Sequence, residues 1–284
     1  VVAPVAAAAG VTVAKMSGRG LGVTGGTADK LEAIPGFRTR LEPAEFHRQL
    51  EELGLAVITQ TGSITPADKK IYALRDVTGT VESPGLIASS IMSKKLAAGS
   101  DGIVLDVKCG SGALLKDLAE AENMADLMID IGRKAGRKMV AVISDMSQPL
   151  GRAVGNALEV EEAVQVLKGG GPEDLRQLCL ELAGEMIWIG GRAESFEEGK
   201  ETARQVLSDG RALEKFRQMV RCQGGDDRIV EEPERMGSSR YSRDVLAGRT
   251  GFIAEMAAQE IGRASQHLGA GRLRKEDELS LIHI

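Results

Sequence analysis

The chain has 284 residues, 43% of them hydrophobic, which is enough to bury a sizeable core. Charged residues make up 27%, the formal net charge is -5 and no basic face is evident, so the composition argues against a nucleic-acid binder. Three widely separated cysteines and three histidines without metal-ligand spacing favour reduced thiols and argue against a zinc site.

Strands that alternate with helices are predicted along most of the chain. Residues 11–14, 56–61, 102–106 and 139–144 are apolar runs of strand length, and helical patterns separate them. The uncharged residues 1–14 lack the basic start of a signal peptide, so we interpret them as a buried helix end that runs into the first strand. This order predicts an α/β fold with a largely parallel sheet covered by helices.

Two stretches depart from this alternation. Residues 65–99 are helical without an intervening strand, which predicts a helical excursion from the sheet domain. Residues 223–242 are polar and glycine-rich and are interpreted as a linker, after which 251–257 is predicted to start a strand of a further lobe. Both ends of the sequence are apolar, so we expect the chain to be part of a longer polypeptide.

A glycine-rich segment, 17–27, lies between the first strand and a helix. Its glycines let backbone N–H groups converge on an anion, and Lys15, Ser17 and Thr27 add one cation and two hydroxyls. The pattern favours an oxyanion site over a tight turn with incidental polar residues. Residues 20–25 also match the dinucleotide fingerprint GxGxxG, but charged residues separate these glycines from the strand, so a nicotinamide-dependent dehydrogenase is only weakly supported.

Two further groups of residues could carry chemistry. Ser90 and Lys94 are four residues apart on one predicted helix, so they share a face that, with Arg75, could hydrogen-bond a carbonyl-rich ring. On the pattern alone, solvated surface cations are the simpler interpretation of Arg75 and Lys94. The polar loop 144–151 follows a buried strand, with Glu162 beyond it, and here a ligand site and an ordinary turn are equally supported.

Several sequence blocks occur in the same order as in one known family. They are 17–32, 65–78, 89–95, 141–151 and 268–272, and together they span nearly the whole chain. On these blocks the chain resembles the thymidine and pyrimidine-nucleoside phosphorylase family. The resemblance implies phosphorolysis of pyrimidine nucleosides (uridine, thymidine, deoxyuridine) to the free base and ribose or deoxyribose 1-phosphate.

The resemblance also implies roles for particular residues. Family positions that surround the phosphate co-substrate match Lys15, Met16, Ser17 and Thr27. Positions that hold the pyrimidine match Arg75, Ser90 and Lys94, and the two cations among them are the expected catalytic residues, which stabilise charge on the departing base. Positions that help to bind a potassium ion in the bacterial pyrimidine-specific members match Leu150, Ala153 and Glu162.

The family architecture implies an organisation for the chain. It assigns an α/β phosphate-binding domain to 1–64 and 100–222, a base-binding helical-domain insertion to 65–99, a linker to 223–242, and the start of a truncated C-terminal α+β domain to 243–284. The resemblance further implies a cytoplasmic homodimer without an organic cofactor, a nucleic-acid partner or a membrane partner.

Val23 departs from the family pattern, which has a histidine at that position. We therefore expect catalysis to suffer more than binding. The N-terminal helices, a first K-H-S-T-G-G-type phosphate loop and most of the C-terminal domain are expected to lie outside this sequence, which alone is then expected not to turn over substrate. The alternatives are a catalytically impaired nucleoside-binding relative and an anthranilate-type phosphoribosyltransferase. The match of the pyrimidine-binding residues argues against the phosphoribosyltransferase.

Overall fold

The computed structural model describes residues 1–18, 25–59, 65–80, 83–239 and 241–270. Strands alternate with helices in the first half of this chain, and helices dominate the second half. None of the described helices combines the length and the apolar composition needed to cross a bilayer. The elements in chain order are α1 (Val2–Ala8), β1 (Val13–Ser17), α2 (Thr27–Leu31), α3 (Pro43–Leu53), β2 (Leu55–Thr59), α4 (Pro66–Thr78), α5 (Pro84–Ala97), β3 (Gly102–Cys109), α6 (Leu118–Lys134), β4 (Lys138–Asp145), α7 (Asn156–Leu167), α8 (Glu173–Ile189), α9 (Phe196–Ser208), α10 (Arg211–Cys222) and α11 (Ala258–Ser265).

The described strands form two parallel pairs. β1 pairs with β2 from Val13 opposite Leu55 onwards, and β3 pairs with β4 from Gly102 opposite Lys138 onwards. Every residue of β2 is buried, as expected for an apolar strand covered on both faces. The predicted α/β class with parallel strands is confirmed. The difference from the prediction is that, within the described ranges, the strands hydrogen-bond as two ladders instead of one continuous sheet.

Two hydrophobic clusters form the core. The larger cluster packs α1, β2 and the helices α7 to α10 together, with Leu55, Ile187 and Val220 fully buried. The smaller cluster joins α5, β3, α6 and β4. Burial of one such aliphatic side chain contributes about 1.5–3 kcal/mol, so both clusters fix the positions of their elements firmly.

Helix α5 is held against the smaller cluster by one face. Ala88 and Met92, four residues apart, are fully buried there, whereas Lys94 and Lys95 in the last turn are half-buried. Pro84 occupies the first helical position, where its missing N–H and fixed backbone angle suit a helix start. The packing of this face against α6 therefore determines where the two lysines lie.

The segment after α10 begins by packing on the larger cluster. Ile229 and Met236 are buried in two short 3-10 turns within residues 223–236, which belong to the segment predicted as a linker. The assignment of the chain to domains stays a prediction.

Residues 241–257 contain neither helix nor strand, so the strand predicted to start at 251–257 is wrong. Phe252 and Ile253 are largely exposed there. An apolar run of strand length forms a strand only beside a hydrogen-bonding partner, and none of the described strands lies next to this one.

The side chain of Gln223, just beyond α10, completes the outer edge of β2. Its Nε2 donates to the carbonyl oxygens of Arg38 (2.7 Å) and Val57 (2.9 Å), and its Oε1 accepts from the N–H of Val57 (3.1 Å). The amide is fully buried and thus stands where a further strand would supply the same donor and acceptor. Gln49 adds a contact to the same oxygen at 3.3 Å.

Replacing this amide by a hydrocarbon of similar size is expected to destabilise the fold. Gln223→Leu leaves buried groups of Val57 and Arg38 without partners, and we expect it to lower the free energy of unfolding by about 3 kcal/mol. Gln218→Leu, on the neighbouring helix α10 and partly exposed, is the matched control and should change it by less than about 0.5 kcal/mol. Urea unfolding monitored by circular dichroism measures both. Equal midpoints for the two variants would contradict the role given to Gln223.

Candidate functional site

The residues predicted to surround phosphate lie at the end of β1. Lys15, Met16 and Ser17 are its last three residues, and the buried Ser17 Oγ donates to the carbonyl oxygen of Gly18 at 3.0 Å. The loop that follows, 19–24, lies outside the described residues and includes Val23. The sequence predicts a strand that ends at residue 14, whereas β1 continues to Ser17, so these three residues belong to the strand end itself, where open α/β folds present ligands.

Thr27 lies on the other side of that loop, at the first position of α2. The residue that caps this helix is Gly26, whose N–H donates to Asp29 Oδ2 at 3.3 Å, and the Thr27 side chain is exposed. Thr27 and Lys15 line the same large cleft, of about 1240 Å³.

Ser90 and Lys94 lie together on α5, as their spacing predicts. Lys94 Nζ donates to Ser90 Oγ at 2.8 Å and to the carbonyl oxygen of Ser90 at 3.0 Å. The same ammonium contacts Asp68 Oδ2 of α4 at 2.6 Å. Helical spacing within α5 carries no information about what α4 brings to it, so the sequence does not indicate Asp68 as a site residue. Asp68 offsets the charge of Lys94 and fixes its direction.

Arg75 connects the two helices that carry these residues. Its side chain is buried, and its Nη1 and Nε approach the carbonyl oxygens of Leu86 (3.2 Å) and Thr80 (3.4 Å). These contacts tie the end of α4 to the start of α5. They are not contacts with Ser90 or Lys94, so the structure gives Arg75 a positioning role in addition to the predicted one.

A small cavity of about 240 Å³ joins three of the residues predicted for phosphate to Lys94, one of those predicted for the pyrimidine. The residues that line it come from the end of β1 and from α5 and the turn after it: Ala14, Lys15, Met16, Ser17, Gly18, Ile91, Lys94, Lys95, Ala98 and Ser100. At roughly 30 Å³ for each water, the volume accommodates several solvent molecules or one small polyatomic anion. Among these described lining residues, three are lysines and none carries a carboxylate.

Lys95 is a second residue that the sequence does not indicate as a site residue. Burial, and then the like charges of Lys15 and Lys94, lower the pKa of Lys95 to about 8. Burial also lowers the pKa of Lys15. The only sequence signal was the adjacent pair Lys94-Lys95, which does not tell which of the two faces a cavity.

The residues predicted for a potassium ion also lie together. Glu162 Oε1 accepts from the backbone N–H groups of Arg152 (2.8 Å) and Ala153 (3.0 Å). Its Oε2 lies against Gly151, where the backbone has φ of +73° and a side chain would collide with the carboxylate. Leu150, Ala153 and Glu162 all line the large cleft.

Glu162 and the loop that it holds offer some of the oxygen ligands that a hard monovalent cation needs. One carboxylate oxygen of Glu162 holds the loop through two amides, and the other is left as an oxygen ligand, which alkali and alkaline-earth ions prefer. Among the described residues, no cluster of three or more His, Cys, Asp or Glu side chains could hold a metal ion. Any cation here would therefore depend in part on backbone carbonyl oxygens.

A further polar cluster on β3 and β4 borders the large cleft and was missed from sequence. Lys108 Nζ lies 2.8 Å from Asp106 Oδ2 and donates to Ser144 Oγ at 2.9 Å. Ser144 Oγ in turn donates to Asp106 Oδ1 at 2.5 Å. Asp106 and Lys108 are two apart on a strand and hence on one face. Their charges offset each other, so this cluster adds polarity without net charge.

Two curated relatives match nearly the whole chain. Pyrimidine-nucleoside phosphorylases of Staphylococcus aureus are 54% (strain bovine RF122 / ET3-1) and 53% (strain USA300) identical over 281 residues, which is 99% of this chain. The chain spans 65% of the length of these curated relatives.

A solved structure shares the fold. Anthranilate phosphoribosyltransferase from Thermus thermophilus superposes with a TM-score of 0.59 and 24% identity, covering 78% of this chain and 71% of that one. At this identity the likeness concerns the fold alone.

One family matches most of the chain. Residues 1–213 match the family described as "Glycosyl transferase family, a/b domain". This range contains both parallel strand pairs, the helices α1 to α9 and every residue predicted for the site. The chain therefore belongs to this glycosyl transferase family.

Proposed function

We propose that this protein is a pyrimidine-nucleoside phosphorylase, a pentosyltransferase that uses phosphate to release the base from uridine, thymidine or deoxyuridine. The carrying observation is the cavity that joins the end of β1 to α5. Lys15, Met16 and Ser17, which are predicted for phosphate, line it together with Lys94, which is predicted for the pyrimidine. The identity of 54% to a pyrimidine-nucleoside phosphorylase over 99% of the chain supports the same substrate class.

The proposed reaction needs stabilisation of a negative charge on the departing base. Phosphate attacks the anomeric carbon while the bond to the base breaks, so electrons move onto the pyrimidine ring and its carbonyl oxygens. Lys94 provides a cation and Ser90 a hydroxyl at 2.8 Å from it, both on one helical face. Preorganised donors of this kind contribute roughly 3 kcal/mol to lowering a barrier.

Asp68 and Arg75 prepare these donors in different ways. Asp68 holds the Lys94 ammonium at 2.6 Å, so the cation is oriented before a substrate arrives. Arg75 is proposed as a second cation of the base site, and its bonds to Thr80 and Leu86 also fix the turn between α4 and α5. Its replacement is therefore expected to lower stability as well as activity.

The phosphate co-substrate is proposed to bind at the end of β1, with Lys15, Met16, Ser17 and Thr27 around it. Lys15 and Ser17 line the same cavity as Lys94, so a bound phosphate would lie close to the base site. Holding two reactants at such a short separation replaces a bimolecular encounter by an effectively intramolecular step. We further propose, on the family resemblance, a cytoplasmic homodimer that needs no organic cofactor.

Removing the Lys94 charge is expected to abolish most of the activity. In the full-length protein, Lys94→Met should lower kcat/KM for uridine by about 100-fold or more, because the leaving base loses its cation. Phosphate-dependent release of uracil or thymine, followed by ultraviolet absorbance, measures the rate. Lys134→Met, an exposed lysine of α6, is the matched control and should behave like the parent. A folded protein that releases no base from any pyrimidine nucleoside, with or without phosphate, would refute the proposed function.

Restoring the family histidine tests the departure at position 23. We expect Val23→His to raise kcat by roughly tenfold or more, with little change in the KM for nucleoside, because an imidazole can donate a proton and a valine cannot. Val23→Ile keeps an apolar side chain and serves as the control. An unchanged or lower kcat for Val23→His would show that this chain works without a donor at that position.

Leu150, Ala153 and Glu162 are proposed to hold a potassium ion beside the cleft, which would stabilise the folded chain. Replacing choline chloride by KCl at constant ionic strength should then raise the melting temperature by about 2–4 °C. Glu162→Gln keeps an acceptor for the Arg152 and Ala153 amides but loses the charge, so it should lose this shift. The neighbouring Glu161→Gln should keep it, and equal shifts in all three proteins would exclude this site.

A further inference from the structure

Lys15 and Lys95 occupy the junction between the two clefts of the molecule. Both line the small cavity with Lys94, and both also line the large cleft. They come from different elements, one from the end of β1 and one from the last turn of α5. A group bound between them would therefore contact the strand and the helix at once.

The lysines of this cavity differ in how their charges are balanced. Lys94 is paired with Asp68 at 2.6 Å. Within the described part of the chain, neither Lys15 nor Lys95 makes an ion pair with a carboxylate, and the small cavity they share is lined by no acidic residue. Two like charges in a partly buried site repel each other, and each also loses hydration. An anion between them would remove both penalties.

We infer that Lys95, acting with Lys15, is an anion-binding residue of this site, and that the anion it holds is the inorganic phosphate of the reaction. The inference rests on the proposed function, and it adds to the phosphate site a residue from the helix that carries the base-binding residues. Lys94 and Lys95 are consecutive, and their ammonium groups serve different parts of the reaction. Lys94 is turned to Ser90 and Asp68, and Lys95 to the cavity that it shares with Lys15.

This division of roles has a geometric consequence. One turn of α5 then fixes the base on one side and the phosphate on the other, so the nucleophile and the leaving group are positioned by a single rigid element. The lowered pKa values of Lys95 and Lys15 agree with two cations that lack a counterion. Because a bound anion raises the pKa of Lys95 from about 8, phosphate binding should take up protons near that pH and weaken above it.

Among the described residues, Lys15 on β1 and Lys94 on its own helix are the charges that act on Lys95, and Asp68 on α4 is paired with Lys94. The alternative role for Lys95 is a favourable interaction with the C-terminal end of the α5 dipole. That role predicts a loss of stability on mutation and no effect on phosphate binding.

Calorimetric titration of the full-length protein with inorganic phosphate, without nucleoside, separates these roles. Lys95→Met should weaken phosphate binding by about tenfold or more, the factor that follows from one lost charge-assisted hydrogen bond. Lys95→Arg should retain most of the affinity, and Lys134→Met should match the parent. Uridine binding to Lys95→Met should be unchanged, since Lys94, Ser90 and Asp68 are untouched.

A second measurement does not depend on a variant that folds. At pH 8, near the lowered pKa of Lys95, the amine reagent trinitrobenzenesulfonate should label this residue at a rate that peptide mass spectrometry can follow, with Lys134 as the internal reference. Phosphate should slow labelling of Lys95 and leave Lys134 unaffected.

The outcomes distinguish this inference from the proposed function. Phosphate binding that depends on Lys95, in a protein that cleaves no nucleoside, would support the anion site and refute the phosphorylase. Nucleoside cleavage with phosphate affinity unchanged in Lys95→Met and no protection of Lys95 would overturn the inference and leave the phosphorylase standing. Absence of phosphate binding to the parent protein would overturn both.

Discussion

The burial of one face of α5 determines the geometry of the candidate site. Ala88 and Met92 are fully buried in the cluster that α5 shares with β3, α6 and β4, so the helix cannot rotate without exposing them. That face places Ser90 and Lys94 on one side of the helix and Lys95 toward the end of β1. Hydrophobic packing on the inner side of α5 is thus what gives the polar groups on its outer side their fixed directions.

Repulsion between like charges destabilises the folded state beside the last turn of α5. Lys15 and Lys95 are partly buried like charges without a carboxylate partner in the described chain, and both have lowered pKa values. Other partly buried cations of the described chain have carboxylate partners, as in the network of Arg217, Arg221 and Asp227. Unpaired charges of this kind lower the stability of the folded protein, but they leave a cation free to bind a ligand. Active sites commonly combine lower stability with function in this way.

Much of the fold could be predicted from the sequence, because apolar runs of strand length and helical spacing are local signals. The parallel pairing, the strandless stretch 65–99 and the shared face of Ser90 and Lys94 all follow from such signals. The partners across elements do not. Asp68 contacts Lys94, and Lys95 lines one cavity with Lys15, only because of the way in which α4, α5 and β1 pack together. The spacing of residues within one element does not encode this packing. In the exposed stretch 251–257 the local signal gave a wrong prediction, because an apolar run of strand length there has no partner strand among the described residues.

The amide of Gln223 has a consequence for how the molecule behaves among its own copies. An unpaired strand edge is a template on which another chain can add a strand, and soluble proteins block such edges. Gln223 occupies both the N–H and the C=O of Val57 at the middle of β2, and it is fully buried beneath the end of α10. Gln49 donates to the Leu55 carbonyl oxygen and the Thr39 carbonyl oxygen accepts from the Thr59 N–H along the same edge. The outer edge of β2 is therefore closed to strand addition, which protects this apolar strand against aggregation.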